Sequence, residues 1–174
     1  MIILDFKEDT ESMIEDGGVI HDVPTAALEY TCFCLPTRFQ CGGFDLFNDG
    51  RAESILTAAS NGDLSLTERA REQPVWLPLP AIGFHMGLLL CLSGEASELE
   101  LFAQGNLRFT VNTRTISIHS YINGRSGLEA RDDMVMAFLD YSQRLRKYLS
   151  ESVPALQDHP SWPIWFPSSF PELA

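Results

Sequence analysis

The chain has 174 residues, with 24 Asp+Glu against 12 Lys+Arg and a formal net charge of -12. That balance argues against tracking a phosphate backbone, where affinity comes from Lys and Arg that release counterions. A hydrophobic content of 45% is too high for a disordered acidic tail, and the length suits one domain with its own core.

The start, Met1-Ile2-Ile3-Leu4-Asp5-Phe6, has an apolar run too short for a secretory signal, and acid follows at once. A cytoplasmic chain with reduced thiols is therefore the expectation. Ile2 to Phe6 reads as a short strand. The first 29 residues hold eight acids and one base, over half the net charge. Among them Glu8, Asp9, Glu11, Glu15, Asp16 and Asp22 are candidates for contacting a basic partner. Asp16-Gly17-Gly18 is a turn signal.

Leu28 to Leu35 is rich in strand formers, and Pro36 is expected to end it. Phe39 to Phe47 reads as a second strand that can pair with the first. Cys32, Cys34, Cys41 and Cys91 lack the paired spacings of a structural zinc site, so they are read as small buried hydrophobes. No metal and no cofactor is expected.

Arg51 to Ser60 is helical by composition, with Asn61-Gly62 as its stop. Ser65-Leu66-Thr67-Glu68 fits a capping box opening a short helix to Glu72. Gln73 to Pro80 holds three prolines and is expected to oppose both helix and sheet. It is the one weak subdivision in what otherwise reads as a single domain over 1–174.

Four strands are expected next: Ile82 to Leu92, Leu99 to Ala103, Leu107 to Asn112 and Thr115 to Ile122. Short links between them imply an antiparallel meander over roughly 82–122. The run from Ala81 to Leu92 is too short to span a bilayer. Glu95, Glu98 and Glu100 form a second acidic patch, with Glu98 and Glu100 on one strand face.

Ser126-Gly127-Leu128-Glu129 is a second capping-box match. It opens a long amphipathic helix over roughly 128–152. Met134, Phe138, Tyr141, Leu145, Tyr148 and Leu149 form its apolar stripe. Asp132 and Asp133 suit its start, and Arg144, Arg146 and Lys147 its end. In the tail after His159, four prolines alternate with Trp162, Trp165, Phe166 and Phe170. An extended strap over the core is expected there.

The fold class is thus α+β. A central antiparallel sheet of five to seven strands is packed on one face by the long helix. No phosphate loop, dinucleotide-binding glycine motif, zinc-protease helix or serine elbow is present. A nucleophile pair such as Cys91 with His119 is the nearest catalytic arrangement, and one Cys and one His carry little weight. The reading is a non-catalytic protein that interacts with another protein. The first choice is an acidic immunity or antitoxin-type inhibitor of a basic toxin domain. The alternatives are a small acidic secretion-type chaperone, or a cysteine- or metal-dependent enzyme. Neither nucleic acid nor membrane is expected as a partner, and a homodimer is compatible with the tail.

Overall fold

The computed structural model describes residues 1–8, 14–16, 19–21, 34–48, 75–101 and 105–173. The helices expected at 51–60 and 67–72, and the strand expected before Cys34, lie outside these residues.

Among the described residues all sheet pairing is antiparallel. One four-stranded sheet centres on β4 (Cys34–Cys41). On one side of it lies β1 (Ile3–Phe6), as expected from the first apolar residues. On the other lie β5 (Phe44–Asp45) and β6 (Leu77–Pro80), end to end. A separate small hairpin joins β2 (Ile14–Asp16) to β3 (Val19–His21). A second four-stranded sheet runs β10-β9-β8-β7, from β7 (Glu98–Glu100), β8 (Asn106–Val111), β9 (Thr115–Ser120) and β10 (Ser126–Ala130). Among the described residues two sheets of four therefore replace the single central sheet of five to seven strands.

Pro36 does not end the strand. It stands opposite Pro78, and its carbonyl accepts from Lys7 N–H on the side of β1. Its missing N–H points the same way, past the last paired residue of β1, so the ladder loses little. The chain turns instead at Gly42-Gly43, both at positive φ. The proline-rich connector also becomes a strand, where neither helix nor sheet was expected. Pro78 and Pro80 alternate with Leu77 and Leu79, so both missing donors face away from β4 while the leucine amides face it.

The run expected as the first meander strand is a helix, α1 (Ala81–Ser93). It is buried nearly all round, so no periodic polar face betrays it. Composition and length are what decide it: leucine is the commonest residue with four, Ile82 is its only β-branched residue, and thirteen residues exceed an ordinary strand. Gly87 lets β7 close on it, since a Cβ there would lie 2.2 Å from Leu99 Cδ1. Gly94 in the left-handed region ends it.

The long helix, α2, runs Arg131–Ser152 rather than from Leu128. The capping-box match is used differently. Ser126 Oγ bonds His119 Nδ1 at 2.9 Å across the strands, and Glu129 Oε1 accepts from Gly42 N–H at 2.9 Å. Ser126 thus supports β10 in its pairing with β9, and Glu129 ties β10 to the turn after β4. The stripe expected from Met134 to Leu149 is buried, with Tyr141 in edge contact with Phe6 and Phe84. Asp132 and Asp133 sit in the first turn, but the last turn carries no basic residue.

Arg144 serves tertiary structure instead of the helix end. Its Nη1 donates to Asp5 Oδ1 at 2.6 Å and Nη2 to Leu4 O at 3.0 Å, while Nε donates to Asp140 Oδ2 at 2.8 Å. These bonds tie α2 to β1. The group is part-exposed, so Arg144→Met is expected to cost only about 1 kcal/mol, less at high salt. Urea midpoints at low and 1 M salt check this, and a salt-independent loss would contradict it.

The tail runs in short helical turns, Pro154–Asp158, α3 (Trp162–Trp165) and Pro171–Leu173, where an extended course was expected. It does strap the core: Leu156, Trp162, Trp165, Phe166 and Leu173 are buried there.

Candidate protein-binding face

The second sheet buries one face and leaves the other open. Leu99, Leu107, Phe109, Ile116, Ile118 and Ser120 point inward and are buried. Ser120 is the one polar member of that group, and its hydroxyl donates to Leu46 O at 2.7 Å. Strict alternation places the intervening residues in solvent.

Register then arranges those residues in rows. Glu98 stands opposite Arg108, Arg108 opposite His119, and His119 opposite Ser126. In the next row Glu100 faces Asn106, whose carbonyl accepts from Tyr121 N–H at 3.0 Å. On the other side Thr110 faces Ser117, which faces Leu128. Tyr121 is 50% exposed and Leu128 62%. The Tyr121 ring is held edge-on against His119 at 4.8 Å, with the Arg108 guanidinium 5.8 Å from its centroid.

The carboxylates expected on this patch are all exposed. Glu98 pairs with Arg108 at 2.9 Å, a solvent-exposed bridge of low strength. Glu95, in the loop after α1, and Glu100 make no ion pair among the described residues. Glu100 borders an apolar notch of about 130 Å³ formed with Leu79, Pro80, Gly83, Phe84 and Leu101. The outer edge of β7 thus carries negative charge beside apolar surface.

The N-terminal candidates are only partly described. Glu8 is exposed just after β1, and Glu15 and Asp16 belong to β2. Asp9, Glu11 and Asp22 lie outside the described residues. The structure therefore brings Glu98 and Glu100 to one face of β7, in a different sheet from β1, which Glu8 follows.

The Cys91 and Cys41 thiols lie in surroundings that keep them protonated. Burial pushes the Cys91 thiol up to about 11, and burial together with the Glu129 charge pushes Cys41 up to about 12. Neither is a thiolate at neutral pH. His119 faces solvent on the open sheet, whereas Cys91 is buried in α1. Among the described residues no group of three or more His, Cys, Asp or Glu is placed to hold a metal ion, and Cys32 lies outside them. No helix among the described residues is long and apolar enough to cross a membrane.

Two features escaped the sequence. Arg108 alternates correctly as an outward residue, but its pairing with Glu98 needs the strand register. The buried contact of His85 with Ser142, 2.9 Å from Nε2 to Oγ, joins residues 57 positions apart. No local spacing signals it.

The fold and face define an α+β protein with two four-stranded antiparallel sheets among the described residues. No family model, curated protein or solved structure matches the chain.

Proposed function

We propose that this chain is a non-catalytic protein-interaction protein, an acidic inhibitor of the immunity or antitoxin type that binds a basic toxin domain. The observation that carries the reading is the open face of the second sheet. Glu98 and Glu100 lie at its edge, with Glu95 on the adjoining loop, and Tyr121, His119 and Leu128 lie on the same face. Charge at a rim steers encounter and rejects wrong partners, while half-exposed aromatics supply contact area at small entropic cost. A net charge of -12 adds a long-range field of the same sign. Glu8, Asp9, Glu11, Glu15, Asp16 and Asp22 add to that field.

The test starts with capture of partners from the source cell on the tagged chain, followed by purification of any basic protein retained. Its association rate with the wild type is then measured from 20 to 300 mM salt. The triple variant Glu95→Lys, Glu98→Lys, Glu100→Lys is expected to slow association about tenfold at low salt, with the difference shrinking at high salt. Tyr121→Ala is expected to act on dissociation instead. The partner's own activity must fall as complex forms. A captured protein whose association ignores both salt and the triple variant would remove this face from consideration. One whose activity is unchanged in the complex would end the inhibitor reading.

A further inference from the structure

A pocket of about 370 Å³ opens between α2 and the C-terminal strap, on different elements from the sheet face. Its size falls in the range of small-molecule sites. Leu139, Phe166, Pro167 and Phe170 supply apolar wall. The polar lining is Ser142, Gln143, Arg146, Ser168 and Ser169. In a chain with twice as many acids as bases, no carboxylate among the described residues lines this pocket, and the one formal charge among them is positive.

The basic group is available. Arg144, on the same helix, is committed to Asp5 and Asp140. Arg146 is exposed and forms no ion pair among the described residues.

Ser142 is held in place from behind. It is only 3% exposed, and its Oγ lies 2.9 Å from Nε2 of the fully buried His85. That imidazole sits among Phe138 at 5.1 Å, Phe166 at 4.9 Å and Phe170 at 6.3 Å. Burial holds it neutral, pushing it down to about 3. Its Nδ1 has no hydrogen-bond partner among the described residues. A bare acceptor is easier to leave there than a bare N–H donor, so the proton belongs on Nε2 and is donated to Ser142. The Ser142 hydroxyl then keeps its own proton to donate. The same two rings that cover His85, Phe166 and Phe170, form the pocket wall.

We infer that this pocket binds a small organic acid with a flat apolar body. The body lies against Phe166 and Phe170, and the anionic group meets the Arg146 guanidinium and the serine hydroxyls. The guanidinium gives bidentate recognition of a carboxylate or a similar oxyanion.

The probe is 1-anilinonaphthalene-8-sulfonate, a flat aromatic sulfonate, titrated into the native full chain at pH 7.5 and low salt. The neutral N-phenyl-1-naphthylamine is titrated in parallel. One sulfonate per chain is expected. Arg146→Gln should weaken it about fivefold while the neutral probe binds as before. Phe170→Ala should weaken both probes, and Leu128→Asp, on the open sheet face, neither. The inference fails if the sulfonate does not saturate at one site, or if Arg146→Gln leaves its affinity unchanged. It fails equally if Leu128→Asp abolishes binding, which would put the probe on the sheet. Near-ultraviolet circular dichroism on each variant separates loss of a ligand site from loss of packing.

Discussion

Replacing Gly127 by alanine is expected to destabilise the fold by about 3 kcal/mol, at the upper end of overpacking costs. Gly127 lies on the inner face of β10, where the end of β4 crosses it. A Cβ there would stand 2.4 Å from Cys41 O, 2.6 Å from Cys41 C and 2.7 Å from Cys41 Sγ. Two of these are backbone atoms, so no rotamer change relieves the clash. The strand that carries them is held by β1 on one side and by β5 and β6 on the other. Yielding from the β10 side would pull Glu129 off Gly42 N–H and break the register with β9. Urea denaturation measures the loss, with Ser126→Ala as the neighbouring control. That variant removes only an exposed hydrogen bond to His119 and should change stability by less than about 1 kcal/mol. Should Gly127→Ala match the control, the two sheets do not meet as described.

The second large effect is a pH dependence carried by one residue. His85 titrates at about 3 in the folded chain because burial disfavours its charged form, against 6.5 when unfolded. Between those values the unfolded chain binds a proton that the folded chain refuses. Stability is therefore fully present above the unfolded pKa and falls as pH drops below it, by about 1.4 kcal/mol per unit. From pH 7 to pH 5 the loss from this group alone is roughly 2 kcal/mol. His85→Leu keeps an apolar side chain among Phe138, Phe166 and Phe170 but has nothing to protonate. Its own stability at pH 7 will change through packing and the lost Ser142 bond. The readout is the slope: stability against pH should be flatter in the variant over this window. Parallel profiles would show that His85 is solvated or already protonated in the folded chain.

How far these sites were legible depends on the range of the forces involved. The open sheet face was readable because strand alternation is local. Leu107, Phe109, Ile116 and Ile118 point one way, and Arg108, Thr110, Ser117 and His119 the other. The exposure of Glu98 and Glu100 on either side of Leu99 follows from the same rule. Their grouping with Tyr121 and Leu128 needed the register of four strands. The pocket was not legible. Ser142 and Arg146 looked like ordinary helix residues, and only the fold-back of the tail makes them a lining.

Three local signals were overruled for physical reasons. Ser126 to Glu129 carries the chemistry of a helix start, but its side chains find partners on β9 and at Gly42, and strand pairing prevails. The Leu77–Pro80 segment is a poor strand by composition, yet its prolines fall on alternate positions and leave one edge able to pair. The run from Ala81 has no polar face because sheets, α2 and tail cover it on several sides. A segment buried all round loses the periodicity that separates helix from strand, and only composition and length remain.

By itself the sequence determined the acidic charge, the α+β class, the inward and outward faces of β8 and β9, and the buried stripe of α2. Each of these is written in residue type or in a period of two or 3.6. The tertiary structure decided that the described strands form two four-stranded sheets besides the small hairpin, that Glu129 and Arg144 act as ties between distant elements, and that a pocket lined by no carboxylate among the described residues exists in a chain this acidic. Those features depend on which atoms approach across tens of residues. Such approaches are set by close packing and by the partners available to each buried polar group, and neither is encoded in any short stretch of chain.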